Sequence, residues 1–236
     1  MVDPLTRLTG TLADMPRQMA LDLPVRAALG RADFFVAPSN AEALAMIDTP
    51  ELWPQGKLLL IGPAGSGKSH LAEVFAHDRQ AMILNGGSLF ETGTLPATVV
   101  VEDAEQVAGK QEELLFHLHN LALASGTKLL LTAGKPPGQW GLTLPDLRSR
   151  MEATALARLD PPDDALLGAV LVKLFADRQI SVPPNLIPYL VARIDRSFAT
   201  ARALVAALDA RALARGRAIS RTLAAEVLDL RDPTAQ

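Results

Sequence analysis

The stretch Gly62-Pro63-Ala64-Gly65-Ser66-Gly67-Lys68-Ser69 directly follows the apolar run Leu58-Leu59-Leu60-Ile61. Its spacing fits G-x-x-x-x-G-K-[ST], a loop whose glycines let backbone N–H groups point inward at a phosphate. In such a loop the lysine ammonium reaches the outer phosphates, and the next hydroxyl can ligate Mg²⁺. The apolar run predicts a strand, and the residues from His70 onward predict a helix whose N-terminus faces the same anion. We therefore predict that residues 62–70 bind ADP or ATP together with Mg²⁺.

The composition bounds the class of protein. The chain has 236 residues, a formal net charge of -3, a 49% apolar fraction and no cysteine. These values predict a globular protein with a large core and no disulfides, and they argue against non-specific binding of DNA. The N-terminus lacks the pattern of a signal peptide, and no long uncharged apolar run follows. We expect a cytoplasmic protein that has no membrane anchor and does not bind DNA in a sequence-specific way.

The order of apolar runs predicts an α/β fold. Strand-like runs alternate with helical segments at residues 58–61, 81–84, 98–101, 128–132 and 154–159. This alternation is typical of a parallel sheet covered by helices. Residues 163–230 offer four helical segments and no convincing strand. We predict an N-terminal segment at residues 1–24, a nucleotide-binding α/β domain at 25–160 and a helical domain at 161–236.

Two acids follow the third strand-like run. Glu102 and Asp103 come directly after Val99-Val100-Val101. A P-loop enzyme places an acid at the end of a neighbouring strand to hold Mg²⁺ and to orient water. We predict that Ser69, Glu102 and Asp103 lie around the metal; the alternative is that two exposed acids merely end a strand.

Several longer motifs carry a resemblance to a known family. They are the P-loop, the run Gln111-Glu112-Glu113-Leu114-Leu115-Phe116-His117-Leu118-His119-Asn120, the run Lys128-Leu129-Leu130-Leu131-Thr132-Ala133-Gly134, and Leu144-Pro145-Asp146-Leu147-Arg148-Ser149-Arg150. With these, residues 18–230 resemble the AAA+ ATPases related to the replication initiator DnaA, and most closely the Hda-type regulators among them. The resemblance implies a five-stranded parallel sheet of order 5-1-4-3-2 and a C-terminal helical lid. It also implies that the chain corresponds to the ATPase module alone.

The resemblance gives meaning to a short N-terminal segment. Gln18-Met19-Ala20-Leu21-Asp22-Leu23 is similar to the peptide by which Hda-type proteins bind the DNA polymerase sliding clamp, its β subunit. Met19, Leu21 and Leu23 would be the apolar anchors, and the Gln18 amide would hydrogen-bond at the pocket rim. The alternative is an edge strand or a flap over the core.

The resemblance also implies a role for Arg150. Its motif matches the family arginine that reaches into the nucleotide site of a neighbouring subunit, where a guanidinium stabilises the charge that develops during hydrolysis. The alternative is a surface arginine paired with a nearby acid. Arg148, two residues earlier, is the weaker candidate.

Three positions depart from the family pattern. Glu102 stands in place of the magnesium-side aspartate, Gly134 in place of the sensor 1 polar residue, and Ala199 in place of the sensor 2 arginine. Arg196 and Arg202 lie on either side of Ala199 and are candidates to substitute for it. These losses favour a site that holds a nucleotide and turns it over slowly, so that any ATPase activity of the chain alone would be weak.

Taken together, the resemblance implies a regulator that binds the sliding clamp and stimulates hydrolysis of ATP bound to DnaA, which inactivates that initiator. Its expected partners are DnaA and the clamp, together with possible self-association. An adaptor or loader that recruits replication proteins without stimulating hydrolysis is the alternative. A small-molecule P-loop kinase is a more distant one.

Overall fold

The computed structural model describes residues 35–89 and 93–229. The segment predicted to bind the clamp, with Gln18, Met19, Leu21 and Leu23, lies outside these residues. The five strands are β1 (Lys57–Ile61), β2 (Met82–Asn85), β3 (Thr98–Glu102), β4 (Lys128–Ala133) and β5 (Ala155–Arg158). The helices are α1 (Ala41–Asp48), α2 (Lys68–Arg79), α3 (Glu112–Ser125), α4 (Pro145–Glu152), α5 (Asp164–Ala176), α6 (Leu186–Val191), α7 (Phe198–Arg215) and α8 (Arg221–Asp229).

The strands form one parallel sheet of order β2-β3-β4-β1-β5. This is the order 5-1-4-3-2 read from the other edge, so the predicted fold class is confirmed. Strand β1 lies between β4 and β5, and Ile61 at its carboxyl end pairs with Ala133 and Arg158. The P-loop therefore begins at the carboxyl edge of the sheet, on a strand with a neighbour on each side, where ligands bind in open α/β sheets.

Helices cover both faces of the sheet. Leu58 and Leu60 of β1 belong to a buried cluster with residues of α1 and α2, whereas Leu59 and Ile61 belong to a second cluster with residues of α3 and α4. Because successive side chains of a strand point to opposite faces, a strand buried on both faces reads as an unbroken apolar run. This explains why β1 was easy to identify in the sequence.

Four helices, α5 to α8, follow the last strand and share a third buried cluster that includes Leu171, Phe175, Leu204 and Leu208. The backbone N–H of Phe198, at the start of α7, donates to the Gly65 carbonyl of the P-loop at 2.9 Å. The helical segment thus contacts the nucleotide loop directly. Across residues 35–89 and 93–229, no helix has both the length and the apolar character needed to span a membrane.

Candidate functional site

The P-loop joins β1 to α2 and leaves no room for a side chain at its first glycine. A Cβ on Gly62 would lie 2.4 Å from the Leu159 carbonyl oxygen, at the end of the adjacent strand. Since that neighbour is backbone, the loop could accommodate a side chain only by moving away from the sheet. Gly62 therefore fixes how closely the loop follows the strand edge.

Lys68 is the cationic group of this loop. Its ammonium donates to the carbonyl oxygens of Gly62 at 2.7 Å and Pro63 at 3.0 Å. Burial lowers the pKa of Lys68, and the nearby charges of Glu105 and Asp103 partly offset this effect. The side chain is thus held against the loop, near acids that follow β3.

The predicted acids Glu102 and Asp103 lie at the carboxyl end of β3, beside the loop. Burial raises the pKa of Glu102, a hydrogen bond with the Ser69 hydroxyl opposes the rise, and the charges of Glu73 and Asp103 add to it. The Asp103 backbone is left-handed, with φ 50°, and its N–H donates to the Thr132 hydroxyl at 3.1 Å. The structure therefore places the Glu102 carboxylate beside the Ser69 hydroxyl.

A third acid, Glu105, belongs to the same end of the sheet and was missed in the sequence. Its Oε1 accepts a hydrogen bond from the Gly134 N–H at 2.6 Å. A Cβ on Gly134 would lie 3.0 Å from that oxygen, so the missing side chain leaves space for the Glu105 carboxylate. The two residues are far apart in the chain, and the only signal in the sequence was the unexpected glycine.

The chemistry of these groups fits a nucleotide with Mg²⁺. Three side-chain oxygens here are buried without a hydrogen-bond partner: Ser66 Oγ, Glu102 Oε1 and Glu105 Oε2. Buried polar atoms need partners: a bound phosphate would accept from the Ser66 hydroxyl, and metal or water would satisfy the two carboxylate oxygens. No group of three or more His, Cys, Asp or Glu residues in the described part of the chain could hold a metal by itself. Mg²⁺ does not need such a cage, because it keeps several waters and uses substrate phosphates as ligands.

The N-terminus of α7 packs against the P-loop at Gly65. A Cβ on Gly65 would lie 2.0 Å from Ser197 Oγ and 3.6 Å from the Ala199 Cβ, which places the predicted sensor 2 position next to the P-loop. Arg196 forms an ion pair with Asp164 at 3.0 Å, and Arg202 lies exposed on α7. Ser197 and Phe198 are loop contacts that the sequence did not reveal.

Arg150 lies at the other end of β1. Its guanidinium stacks over the Phe116 ring, with Cζ 5.1 Å from the ring centroid, and lines a cavity with Lys57, the first residue of β1. Within residues 35–89 and 93–229 it forms no ion pair with a carboxylate. The paired surface arginine that was the alternative interpretation is therefore not found among these residues.

Glu112 holds the helix that carries Arg150. Its side chain, 7% exposed, accepts hydrogen bonds from the backbone N–H groups of Gly109, Thr143 and Leu144. Burial would raise the pKa of Glu112, but these hydrogen bonds outweigh it and lower the pKa. Because Leu144 is the N-cap of α4, the carboxylate anchors the start of that helix to α3. This contact gives a physical role to the family-like run at residues 111–120.

Comparison with known proteins finds similarity to replication initiators, although no family model matches the chain. The chain is 25% identical over 229 residues to the chromosomal replication initiator protein DnaA of Thermomicrobium roseum. The aligned region covers 83% of this chain and 48% of that protein. This chain therefore spans about half the length of the curated relative.

Solved structures agree in fold. Domain III of the Thermotoga maritima replication initiation protein DnaA superposes with a TM-score of 0.75 at 19% identity, covering 88% of this chain and 98% of that one. AMPPCP-bound DnaA from Aquifex aeolicus superposes with a TM-score of 0.65 at 14% identity, covering 78% of this chain and 65% of that one. Thermotoga maritima RuvB superposes with a TM-score of 0.66 at 19% identity, covering 88% of this chain and 73% of that one. At these identities the likeness concerns the fold alone: the chain is similar to a DnaA initiator in sequence and to domain III of a DnaA in fold.

Proposed function

We propose that this protein is a regulator of replication initiation that holds an adenine nucleotide and stimulates hydrolysis of ATP bound to DnaA. Arg150 is the residue that acts on the partner. Its guanidinium would stabilise the negative charge that develops on the phosphates of the partner's ATP.

The position of Arg150 is the observation that carries this proposal. Arg150 shares a cavity with Lys57, whereas the P-loop follows Ile61 at the opposite end of β1. The two ends of such a strand are about 13 Å apart. An arginine side chain cannot span that distance, so any phosphate that Arg150 contacts must belong to another molecule.

The environment of the guanidinium supports the same role. Arg150 is half-buried and stacked on Phe116, which restricts its motion without neutralising its charge. A planar cation held on an aromatic face keeps its N–H donors available for phosphate oxygens.

The P-loop supports nucleotide binding with slow turnover. Lys68 and Ser69 occupy the positions that contact phosphates and Mg²⁺, and Mg²⁺ when bound would neutralise phosphate charge. Gly134 and Ala199 supply no polar side chain at the two sensor positions. DnaA structures of this fold are described with bound AMPPCP, which supports an adenine nucleotide, ADP or ATP, in this site.

The decisive experiment measures hydrolysis of ATP bound to DnaA in the presence of the wild-type protein, Arg150→Ala and Arg148→Ala. We expect Arg150→Ala to abolish a stimulation of about 10³-fold or more. Arg148 is exposed on the same helix, so Arg148→Ala controls for charge and folding and should keep full stimulation. Equal stimulation by all three proteins would leave the adaptor or loader as the function.

Clamp binding through Gln18, Met19, Leu21 and Leu23 is a separate part of the proposal. Gln18→Ala and Leu21→Ala should each reduce retention of the protein on immobilised sliding clamp, since they remove a rim hydrogen bond and an apolar anchor. Nucleotide binding should stay unchanged. Retention equal to wild type in both variants would remove the clamp from the list of partners.

A further inference from the structure

A small cavity lies at the amino end of β1, away from the nucleotide loop. Its volume is about 150 Å³, and its polar lining consists of Gln55, Lys57, His119, Ser149, Arg150 and Thr154. Two of these side chains are cations, and none of the residues that line the cavity is an Asp or a Glu. The cavity therefore gathers positive charge without a carboxylate to balance it.

Lys57 is an unusual residue for the start of a central strand. It is only 1% exposed, and its Nζ lies 3.1 Å from His119 Nδ1. The ammonium donates to the ring nitrogen, which as an acceptor belongs to a neutral imidazole. This bond gives one of the three Lys57 N–H donors an acceptor, but a neutral imidazole does not balance the positive charge of the ammonium.

Burial and the charge of Arg150 lower the pKa of Lys57 to about 8. Burial, Lys57 and Arg150 lower the pKa of His119 to about 4. At neutral pH the cavity thus contains two cationic groups, Lys57 and Arg150, around a neutral histidine. No acid contributes to either shift, which agrees with the absence of carboxylates from the lining.

We propose that this cavity is an oxyanion pocket that takes one phosphate group, bound by Lys57 and Arg150. A buried cation is unfavourable unless an anion or several hydrogen bonds compensate it. Two convergent cations match a dianion better than a single carboxylate, and the bidentate guanidinium suits phosphate oxygens. The volume accommodates a single phosphate group but not a whole nucleotide.

The source of the phosphate group rests on the proposed function. If Arg150 reaches the nucleotide of DnaA, the group is the outermost phosphate of that nucleotide, and Lys57 is a second contact to it. The other source is free phosphate in solution. The chemistry is the same for both, so the experiments must separate them.

The first experiment titrates the full-length protein with inorganic phosphate and follows the ring NMR signals of His119, assigned from a His119→Gln variant. We expect a saturable shift that sodium chloride at matched ionic strength does not reproduce. Lys57→Met should weaken phosphate binding at least about tenfold, because it removes a charged hydrogen-bond donor. Lys110→Met, at an exposed position outside the cavity, is the matched control and should bind like wild type.

Arg150→Ala is the second variant, at a half-buried position where truncation leaves the core intact, and it should weaken binding as well. A shift that sodium chloride reproduces would overturn the proposal. Unchanged binding in a folded Lys57→Met variant or in Arg150→Ala would do the same.

The second experiment adds inorganic phosphate to the assay of DnaA-bound ATP. Inhibition that Lys57→Met relieves assigns the pocket to the partner's nucleotide, whereas phosphate binding without inhibition assigns it to free phosphate. If the isolated protein binds phosphate but Arg150→Ala keeps full stimulation, the proposed function fails and the pocket stands. The two proposals are thus tested by different readouts.

Discussion

The two ends of β1 are electrostatic opposites. At the carboxyl end, Lys68 lies near the charges of Asp103 and Glu105, beside the half-buried Glu102. At the amino end, Lys57 and Arg150 share a cavity without an acid. A site that takes a nucleotide together with Mg²⁺ needs carboxylates, whereas a site that takes a bare phosphate group does not. The charge balance at each end thus indicates what kind of phosphate ligand that end can hold.

The two lysines make the contrast measurable. Burial lowers the pKa of both, but at Lys68 the nearby acids oppose burial, whereas at Lys57 the charge of Arg150 acts in the same direction. The charged form of Lys68 is therefore stabilised by nearby carboxylates, whereas the ammonium of Lys57 lacks a counter-charge.

We call the amino end of β1, with Lys57 and Arg150, the basic end, and the carboxyl end, with Glu102, Asp103 and Glu105, the acidic end. The largest expected effect comes from Glu112→Ala, because Glu112 holds the start of α4, the helix that carries Arg150. Three backbone N–H groups, of Gly109, Thr143 and Leu144, would lose their acceptor. We expect the free energy of unfolding to fall by about 3 kcal/mol, measured by urea denaturation. Glu113→Ala, at the exposed neighbouring position, should change it by less than about 0.5 kcal/mol. Equal losses in both variants would contradict the anchoring role.

The next effect separates the two ends by ligand. Lys68→Ala should weaken binding of ADP with Mg²⁺ by roughly 100-fold, because it removes a charge-assisted contact to phosphate. Lys57→Met should leave ADP binding unchanged, since Lys57 lies at the far end of the strand. Calorimetric titration of both variants measures this. A similar loss of ADP affinity in Lys57→Met would mean that the two ends do not act independently.

The strands of the sheet could be predicted from the sequence because β1, β3 and β4 are buried on both faces and appear as unbroken apolar runs. The P-loop was readable because its spacing is a local constraint on the backbone. Glu102 followed from its place at the end of such a run. Each of these signals lies within a few adjacent residues.

Contacts between residues that are distant in sequence could not be predicted in this way. Glu105 meets Gly134 only because β3 and β4 are neighbours in the sheet, and neither residue type reveals that pairing. Lys57 looks like an ordinary polar residue before a strand, and only the packing of α3 brings His119 to its ammonium. Arg196 illustrates the converse: its spacing allowed a role beside the nucleotide, but the structure shows it paired with Asp164.

The basic end should also respond to acid. The folded-state pKa of His119 is lowered to about 4 by burial, Lys57 and Arg150, against 6.5 as its ordinary value. A lowered pKa contributes stability that is present above pH 6.5 and is lost as the pH falls towards 4. Between these values we expect wild type to lose on the order of 2 kcal/mol more stability than His119→Gln.

Urea denaturation of both proteins across this pH range tests the prediction, and taking the difference cancels acids that titrate in the same window. His117→Gln, at the exposed position two residues earlier, is the control and should follow wild type. Parallel pH profiles for wild type and His119→Gln would show that the histidine does not experience the two cations.

The smallest effect concerns the acidic end. Glu105→Gln keeps an acceptor for the Gly134 N–H and removes one negative charge near Lys68. The outermost phosphate of ATP is repelled by that charge more strongly than ADP is, because ADP lacks this phosphate. We expect Glu105→Gln to raise affinity for ATP relative to ADP by about threefold to tenfold, measured by competition at fixed Mg²⁺.

Glu105→Ala separates the charge from the hydrogen bond. It removes the same charge but also leaves the Gly134 N–H without its acceptor, so it should shift the ATP-to-ADP ratio equally while lowering the stability of the fold. If both nucleotides changed affinity by the same factor in Glu105→Gln, the carboxylate would not face the position of the third phosphate.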